Sequence, residues 1–285
     1  MGTMFVTGAT GKQGGAVVRG LMARGHTVRA FTRKADSPAA KALAEAGAKI
    51  FVGALEDRAS LDKAIAGVDA VFSMGTPFES GPEVEVRQGI NVADAAKAAG
   101  AYVVYTSVAS ADRATGIPHF DSKFRVEEHI RSIGVRAAII APVYFMENVY
   151  FAADQLKAGV YATPLASARK LAQIAIDDIG ACAIAALENP ARYAGTRHDL
   201  AGDDVSGEDA VAILSRVSGK PFKYFQIPME MIRERMGDDG AKMYEWFERT
   251  GYTWERAALA RAFPEVTWTS FETWAKRQPM ITGAA

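Results

Sequence analysis

The sequence has almost no cysteine: Cys182 is the single one among 285 residues. One cysteine cannot form a disulfide within the chain, which excludes the class of small, disulfide-stabilised secreted domains and fits a reducing cytosol. Cys182 lies in the apolar helical stretch IGACAIAALENP, so we interpret it as a small buried hydrophobic residue.

Charge of one sign is not in excess either, because 33 Lys and Arg residues balance 33 Asp and Glu residues. General nucleic-acid-binding domains carry a basic excess, so we expect no direct nucleic-acid partner. The longest apolar run, AAIIAPVYFM at 137–146, is much shorter than the roughly 20 residues that span a bilayer. An apolar strand begins at Met4, which leaves no room for a signal peptide before it. We therefore expect a cytoplasmic protein without membrane attachment, and we assign no metal ligands.

Short apolar runs alternate with amphipathic helical patterns through the first half of the chain. The strand-like runs are TMFVT, HTVRAFT, AKIFVG, DAVFSMG, AYVVYTSV and RAAIIAPV. Helical patterns at 83–99 and 121–133 separate the last three of them. Continuous apolar strands that alternate with helices are typical of a parallel sheet covered on both faces. The predicted fold class is therefore α/β, with a doubly wound parallel sheet of the Rossmann type.

The alternation becomes less regular after Pro142. The pattern there predicts a helix over about 167–188, a strand at 196–202, a helix at 207–219 and a strand at 222–228. We predict a dinucleotide-binding domain over 1–150 and a smaller α+β C-terminal domain over 151–285. The helix near 170–188 is expected to pack back onto the first domain.

Three glycines with G-x-x-G-x-x-G spacing, Gly8, Gly11 and Gly14, follow the first predicted strand. The first allows a tight turn, the second lets a pyrophosphate approach the backbone, and the third brings the helix close to the strand. The N-terminus of the following helix then offers N–H groups to the phosphates. A plain glycine-rich turn is the alternative, but the position at a strand-to-helix junction favours a dinucleotide site.

The second predicted strand ends at Thr32, and Arg33 and Lys34 follow it directly. A site selective for NAD places a carboxylate there, whereas arginine accommodates the 2′-phosphate of NADP. Arg33 can bind that phosphate with two parallel hydrogen bonds. The alternative is a solvated basic turn. The sequence thus predicts NADP(H) as the cofactor, in preference to NAD(H).

Several motifs together resemble the NmrA-like branch of the atypical short-chain dehydrogenases, and in particular its NADPH-sensing members. They are TGATGKQGG, the arginine after the second strand, SLDKAIAGVDAVF, HFDSKFRVEEHIRSIGV, PVYFMEN, DDIG and SFETWAK. The resemblance covers nearly the whole chain. It implies a Rossmann domain that binds NADP(H) and a smaller C-terminal domain.

The resemblance also implies which residues contact the cofactor. It assigns the phosphate loop to Gly8, Ala9, Thr10, Gly11, Lys12, Gln13 and Gly14. It assigns the 2′-phosphate site to Arg33, Lys34 and Ser37, and the ribose and nicotinamide floor to Gly75, Thr76 and Pro77. Arg87 is a further basic contact, and the nicotinamide end is bounded by Tyr144, Phe145 and Asn148. One departure is that Ala54 and Leu55 stand where similar proteins often carry an acidic residue, so we expect only backbone contacts with adenine there.

The stretch IPHFDSKFRVEEH at 117–129 carries the expected reaction chemistry. Short-chain dehydrogenases place a tyrosine and a lysine four residues apart on one helix face. The lysine binds the nicotinamide ribose and lowers the pKa of the tyrosine, which exchanges a proton with the substrate. Lys123 matches that lysine, and His119 stands in place of the tyrosine. We expect Lys123 to be exposed enough that its removal leaves thermal stability nearly unchanged.

His119 is therefore a candidate proton donor, since imidazole ordinarily titrates near neutral pH. The alternative is a hydrogen-bonded structural histidine. Tyr144 is a second candidate donor, and Ser107 resembles the serine of the dehydrogenases. Five aromatic residues are candidates for the lining of an apolar substrate pocket, and ordinary core packing is the alternative. They are Phe78, Tyr144, Phe145, Tyr150 and Phe151.

Two functions fit these residues. The first is an NADPH-dependent reductase of a small carbonyl, quinone or conjugated-alkene substrate, in which the nicotinamide supplies hydride. The alternative is a non-catalytic NADP(H) redox sensor that acts through a protein partner. The expected partners are a small molecule, aromatic or quinone-like in the first case, and a protein partner or a second copy of the chain in the other.

Overall fold

The computed structural model describes residues 1–283 and divides into two compact units. The first unit comprises residues 1–114, 118–141 and 179–199. The second comprises 115–117, 142–178 and the chain from residue 200 onward. No helix within residues 1–283 combines the length and the apolar character that crossing a membrane requires.

The described part of the chain forms strands and helices in alternation. The strands are β1 Thr3–Val6, β2 Thr27–Thr32, β3 Lys49–Val52, β4 Ala70–Ser73, β5 Tyr102–Thr106, β6 Ala137–Pro142, β7 Tyr144–Phe145, β8 Val160–Thr163, β9 Leu171–Ile174, β10 Arg197–Leu200, β11 Asp203–Val205 and β12 Lys223–Gln226. The helices are α1 Lys12–Ala23, α2 Pro38–Glu45, α3 Arg58–Ile65, α4 Pro77–Ser80, α5 Pro82–Ala98, α6 Pro118–Ile133, α7 Ala153–Lys157, α8 Ile176–Glu188, α9 Pro190–Tyr193, α10 Gly207–Ser218, α11 Met229–Arg249, α12 Arg256–Ala262, α13 Phe271–Lys276 and α14 Pro279–Thr282. Short 3₁₀ helices cover Ala111–Arg113 and Met146–Ala152.

A seven-stranded sheet in the order β10-β6-β5-β4-β1-β2-β3 forms the centre of the first unit. The pairs β1–β2, β1–β4, β2–β3, β4–β5 and β5–β6 are parallel. The order 3-2-1-4-5-6 is that of a doubly wound Rossmann sheet, here extended by β10. The α/β fold class predicted from the sequence is confirmed.

The core of the first unit explains why its strands are continuous apolar runs. Phe5, Val71 and Val103 on three neighbouring strands are fully buried, as are the helical residues Leu61 and Ile65 that pack on them. A strand covered by helices on both faces has no exposed side, so the polar alternation typical of a half-exposed strand is missing.

The second unit contains a three-stranded sheet β11-β9-β7 and the parallel pair β12–β8. Its core includes Tyr161, Leu214, Phe271 and Trp274. The predicted helix over 167–188 is wrong at its start, because Leu171–Ile174 forms the central strand β9 and the helix begins at Ile176. All four residues of β9 are buried, and a short buried run has the same pattern in a strand as in a helix.

The helix that carries Lys123 also begins earlier than predicted. It starts at Pro118 instead of residue 121, since proline is well suited to the first position of a helix. His119 and Lys123 therefore lie on the same helix, one turn apart.

Most of helix α8 belongs to the first unit, which includes residues 179–199. Within that unit, Gly180 of α8 packs against Ala16 of α1.

Candidate active site

The glycine turn is closed by its own backbone. Gly8 has a positive φ of 59°, and its carbonyl oxygen accepts a hydrogen bond from the Gly11 N–H at 2.9 Å. A methyl group on Gly14 would lie 2.2 Å from that same carbonyl oxygen, so no larger residue fits there. These are the two requirements that the spacing predicts, a tight turn and a close approach of helix to strand.

The turn is anchored to the ends of two neighbouring strands. The Thr7 hydroxyl accepts from the Met74 N–H at 2.7 Å and donates to the Met74 carbonyl at 3.0 Å. The Gln13 side chain accepts from the Thr106 hydroxyl at 3.1 Å. Helix α1 has glycine at its N-cap and no side-chain cap, so the N–H groups of its first turn suit an anion such as a pyrophosphate.

Arg33 lies directly after β2 with 68% of its side chain exposed, and it pairs with Glu79 at 2.8 Å. Lys34 beside it is also exposed. The Ser37 hydroxyl caps α2 by accepting from Ala40 N–H at 3.2 Å and donates to the Lys34 carbonyl. Both basic side chains are thus exposed, and Ser37 shapes the turn that carries them.

The other predicted cofactor contacts follow β3 and β4. Gly75 lies above Glu85: a methyl group on this glycine would be 3.0 Å from the Glu85 Cγ atom. Thr76 precedes Pro77, the first residue of α4, and Arg87 is exposed on α5. The carbonyl oxygens after β3, those of Ala54 and Leu55, accept bonds from the Ser60 hydroxyl and the Asn91 amide.

Lys123 is not a solvated lysine. Its Nζ donates to Glu85 Oε1 at 2.6 Å, and only 12% of its side chain is exposed. The hydroxyl of Ser122 donates to Glu85 Oε2 at 2.5 Å. One turn earlier, the buried ring of His119 lies 5.5 Å from Phe78 and 4.8 Å from Phe120. The ring of Phe78 is 73% exposed.

Ser107 donates its hydroxyl proton to Glu127 Oε1 at 2.5 Å. The carboxylate of Glu127 is fully buried and also accepts from Arg131 at 2.6 Å and Arg197 at 3.0 Å. Because the serine proton is held by a carboxylate, the Ser107 oxygen remains only as a hydrogen-bond acceptor.

The same network fixes the loop after β5. Arg197 pairs with Asp199 and donates to the Val108 carbonyl at 3.2 Å, and Asp199 accepts from the Ser110 N–H at 3.1 Å. Burial raises the pKa of Asp199, and the nearby Arg197 charge opposes that rise. Ser110 has a positive φ of 63°, a strained conformation for a residue with a side chain, and these bonds hold it.

The sequence interpretation did not identify Glu85, Glu127 or Arg197. One signal was available for Glu127, which follows Lys123 by four residues and therefore lies on the same helix face. No local signal identifies the other two, since Glu85 lies on another helix and Arg197 on the edge strand β10.

Tyr144, Phe145 and Asn148 belong to the second unit. The Tyr144 hydroxyl lies 3.1 Å from that of Tyr244, and its ring packs edge-on against Phe247. Burial raises the pKa of Tyr144 well above its ordinary range, Tyr244 adds to the rise and Asn148 opposes it. Tyr144 is therefore a weaker acid than an ordinary phenol.

The remaining two predicted pocket aromatics also lie in the second unit. Tyr150 packs on Trp274 and donates to the Gln278 side chain at 2.7 Å. Phe151 is 88% exposed. Tyr150 thus has packing and hydrogen-bond partners in its own unit.

The family assignment follows from a match over almost the whole chain. The model of the NmrA-like family matches residues 1–275. The chain belongs to the NmrA-like family. The resemblance predicted from its motifs is thereby confirmed.

Relatives in this family include named reductases. The chain is 31% identical over 238 residues to a (4-alkanoyl-5-oxo-2,5-dihydrofuran-3-yl)methyl phosphate reductase of Streptomyces griseus, covering 81% of this chain and 79% of that protein. It is 29% identical over 244 residues to an NAD(P)H azoreductase of Xenophilus azovorans, covering 82% and 80%.

Solved structures share the fold over nearly the full length. The crystal structure of an NADPH-dependent quinone oxidoreductase from Escherichia coli, complexed with NADPH, superposes with a TM-score of 0.81 at 25% identity. The superposition covers 94% of this chain and 97% of that one. Structural neighbours of this protein thus bind NADP(H).

Proposed function

We propose that this protein is an NADPH-dependent reductase of a small quinone, conjugated alkene or carbonyl compound. The observation that carries the proposal is the common position of the predicted cofactor residues. Gly8, Arg33, Gly75 and Ser107 each follow the carboxyl end of a strand, in the sheet order β2-β1-β4-β5. Ligands of open parallel sheets bind at this edge.

The residues at this edge fit NADP(H). The uncapped N-terminus of α1 is the site for the pyrophosphate, and Arg33 is the site for the 2′-phosphate, for which it exchanges its contact with Glu79. Lys123 is the site for the nicotinamide ribose. When bound, the cofactor supplies hydride, while the protein chain binds, orients and handles the proton.

The proton chemistry favours acceptors that need little acid assistance. His119 replaces the usual phenol, burial raises the pKa of Tyr144 and so weakens it as an acid, and the Ser107 hydroxyl donates its hydrogen bond to Glu127. Quinones and conjugated alkenes leave a stabilised anion after hydride addition, whereas a simple aldehyde leaves an alkoxide that needs a positioned acid. The ring of Phe78, exposed and tilted against that of His119 at 5.5 Å, offers a surface for a flat aromatic acceptor.

The test compares acceptor classes under one set of conditions. NADPH oxidation is followed at about 340 nm, the usual absorbance wavelength of the reduced nicotinamide, with quinones, enones and aldehydes. We expect quinones and enones to react faster than aldehydes. Equal rates for aldehydes would contradict this ordering.

A cofactor sensor is the second candidate, and the Arg33–Glu79 ion pair favours it. Glu79 lies on the short helix α4 beside Phe78, so a phosphate that replaces Glu79 on Arg33 also breaks a contact of this surface segment. Cofactor occupancy would then change the surface presented to a protein partner. Tight NADPH binding without turnover of any acceptor class would favour this function over the reductase.

A further inference from the structure

Glu85 on α5 is a buried carboxylate that connects three segments of the proposed cofactor site. It is 1% exposed. Its Oε1 accepts from Lys123 and its Oε2 from Ser122, and a methyl group on Gly75 would lie 3.0 Å from its Cγ atom. Glu85 thus lies against the loop after β4 and binds two neighbouring polar residues of α6, Ser122 and Lys123.

Burial of a carboxylate is costly unless a charge and hydrogen bonds compensate it. Here one oxygen faces an ammonium and the other a hydroxyl, so both are satisfied. The neighbouring phenol of Tyr105 adds no second charge, because burial, Glu85 and Glu127 all raise the pKa of Tyr105. The Glu85–Lys123 pair is therefore fixed in place by its surroundings.

This arrangement determines where the Lys123 ammonium lies. A lysine side chain in solvent loses conformational entropy when a ligand immobilises it, and the pair with Glu85 holds the Lys123 side chain before any ligand arrives. One of the three N–H groups of the ammonium is used by Glu85, which leaves two for other acceptors. The two neighbouring hydroxyls of a ribose can accept those two hydrogen bonds.

We propose that Glu85 is a positioning residue, which holds the Lys123 ammonium for the nicotinamide ribose of NADP(H), with Ser122 fixing the carboxylate. This inference rests on the proposed function, since it requires that Lys123 binds that ribose. Glu85 itself acts through Lys123 and does not contact the cofactor.

The test uses two ligands that differ in the nicotinamide half. NADPH contains the nicotinamide ribose, whereas 2′,5′-ADP has only the adenosine end. We expect Glu85→Gln to weaken NADPH binding about tenfold and to leave 2′,5′-ADP binding unchanged, measured by calorimetric titration of both. In the absence of Lys123, Glu85→Gln should have no further effect, so the two substitutions should not add.

A matched control is present on the same two helices. Glu83 of α5 pairs with Arg125 of α6 at 2.6 Å, but both side chains are exposed. Glu83→Gln removes the same kind of inter-helix charge pair outside the site, and both ligands should bind as before.

The outcomes separate the inference from the proposed function. If Lys123→Ala, alone or combined with Glu85→Gln, weakens the binding of both ligands equally or of neither, Lys123 does not bind the nicotinamide ribose and the proposed site is contradicted. Selective loss of NADPH binding in Lys123→Ala but not in Glu85→Gln would overturn only the role of Glu85. Equal weakening of both ligands by Glu85→Gln would make Glu85 merely structural and overturn the inference as well.

Ser122→Ala provides a milder variant in case Glu85→Gln does not fold. It removes one hydroxyl and keeps the buried charge pair. We expect it to weaken NADPH binding severalfold without changing 2′,5′-ADP binding. If the affinity ratio of the two ligands stays at its wild-type value, the inference is wrong.

Discussion

Two basic side chains of the candidate site each pair with a carboxylate from another segment of the chain, Arg33 with Glu79 and Lys123 with Glu85. Arg33 follows a strand and Lys123 follows His119 by four, and both facts are local in sequence. Their partners are not local: Glu79 and Glu85 lie 46 and 38 positions from Arg33 and Lys123 by number. A pattern search within one helix or turn therefore finds the basic residues but misses the carboxylates that hold them.

Lys123 illustrates the consequence of a missed partner. If Lys123 were a solvated helix lysine, its removal would leave the free energy of unfolding nearly unchanged. Because Lys123 pairs with the buried Glu85, its removal leaves an uncompensated buried carboxylate. Breaking such a pair lowers the free energy of unfolding by roughly 3–5 kcal/mol. We expect Lys123→Ala to lower the free energy of unfolding in urea by about this amount, and Lys123→Ala combined with Glu85→Gln to regain part of it. Unchanged stability of the single variant would contradict the buried pair.

We expect Arg33 to determine the preference between NADPH and NADH. We expect NADPH to bind more tightly than NADH, because no carboxylate follows β2 and the arginine offers a charge-assisted contact worth about 1.5–3 kcal/mol. Arg33→Ala should reduce the preference roughly tenfold or more, measured by fluorescence titration with both cofactors. Arg24→Ala is the control, since Arg24 is also an exposed arginine paired with a glutamate, Glu188. Equal affinities for NADPH and NADH in the wild type would contradict the assignment.

His119 is tested by the pH dependence of turnover. If the protonated imidazole gives the proton to the reduced acceptor, turnover falls as pH rises and the ring loses its proton. We expect His119→Phe to abolish that decline while NADPH affinity is preserved. His129→Gln on the same helix serves as a control and should keep the wild-type profile. A His119→Phe variant with the wild-type profile and lower thermal stability would make this histidine structural.

At the scale of elements, the sequence predicted the strands of the first half because each is an apolar run bounded by a turn. It missed β9, whose four buried residues carry no periodicity that separates strand from helix. It predicted a strand at 196–202 but not that β10 pairs beside β6, because pairing between distant strands leaves no local signal. The start of α6 at Pro118 differs from the predicted start at residue 121, because a proline fits both the end of a loop and the first position of a helix.

The junction of β1 and α1 gives a prediction for an element. A methyl group on Gly14 meets the Gly8 backbone at 2.2 Å, and backbone cannot move aside as a side chain does. We expect Gly14→Ala to destabilise the protein by about 1–3 kcal/mol and to abolish measurable NADPH binding. Gly15→Ala is the matched control, since its nearest neighbours are the flexible Arg19 side chain at 3.3 Å and the Ala9 carbonyl at 3.4 Å. A Gly14→Ala variant that binds NADPH as the wild type does would contradict the close approach.

At the scale of the whole molecule, the order of the sheet explains why residues from distant positions belong to one candidate site. Parallel strands place all their carboxyl ends on one edge, so the segments after β1, β2, β4 and β5 share that edge. The sequence predicted a boundary near residue 150 together with a helix near 170–188 that packs back onto the first domain, and in the structure residues 179–199 belong to the first unit. The sheet accounts for this, because β10 extends it beyond β6.

The reductase function is tested by the initial rate of NADPH consumption with a quinone, in the wild type and in the double variant Glu85→Gln with Lys123→Ala. We predict quinone-dependent turnover in the wild type, and a KM for NADPH raised about tenfold in the variant, because the ribose loses its lysine contact. A wild-type protein that binds NADPH tightly and consumes none of it with any quinone would contradict the reductase function and favour the sensor.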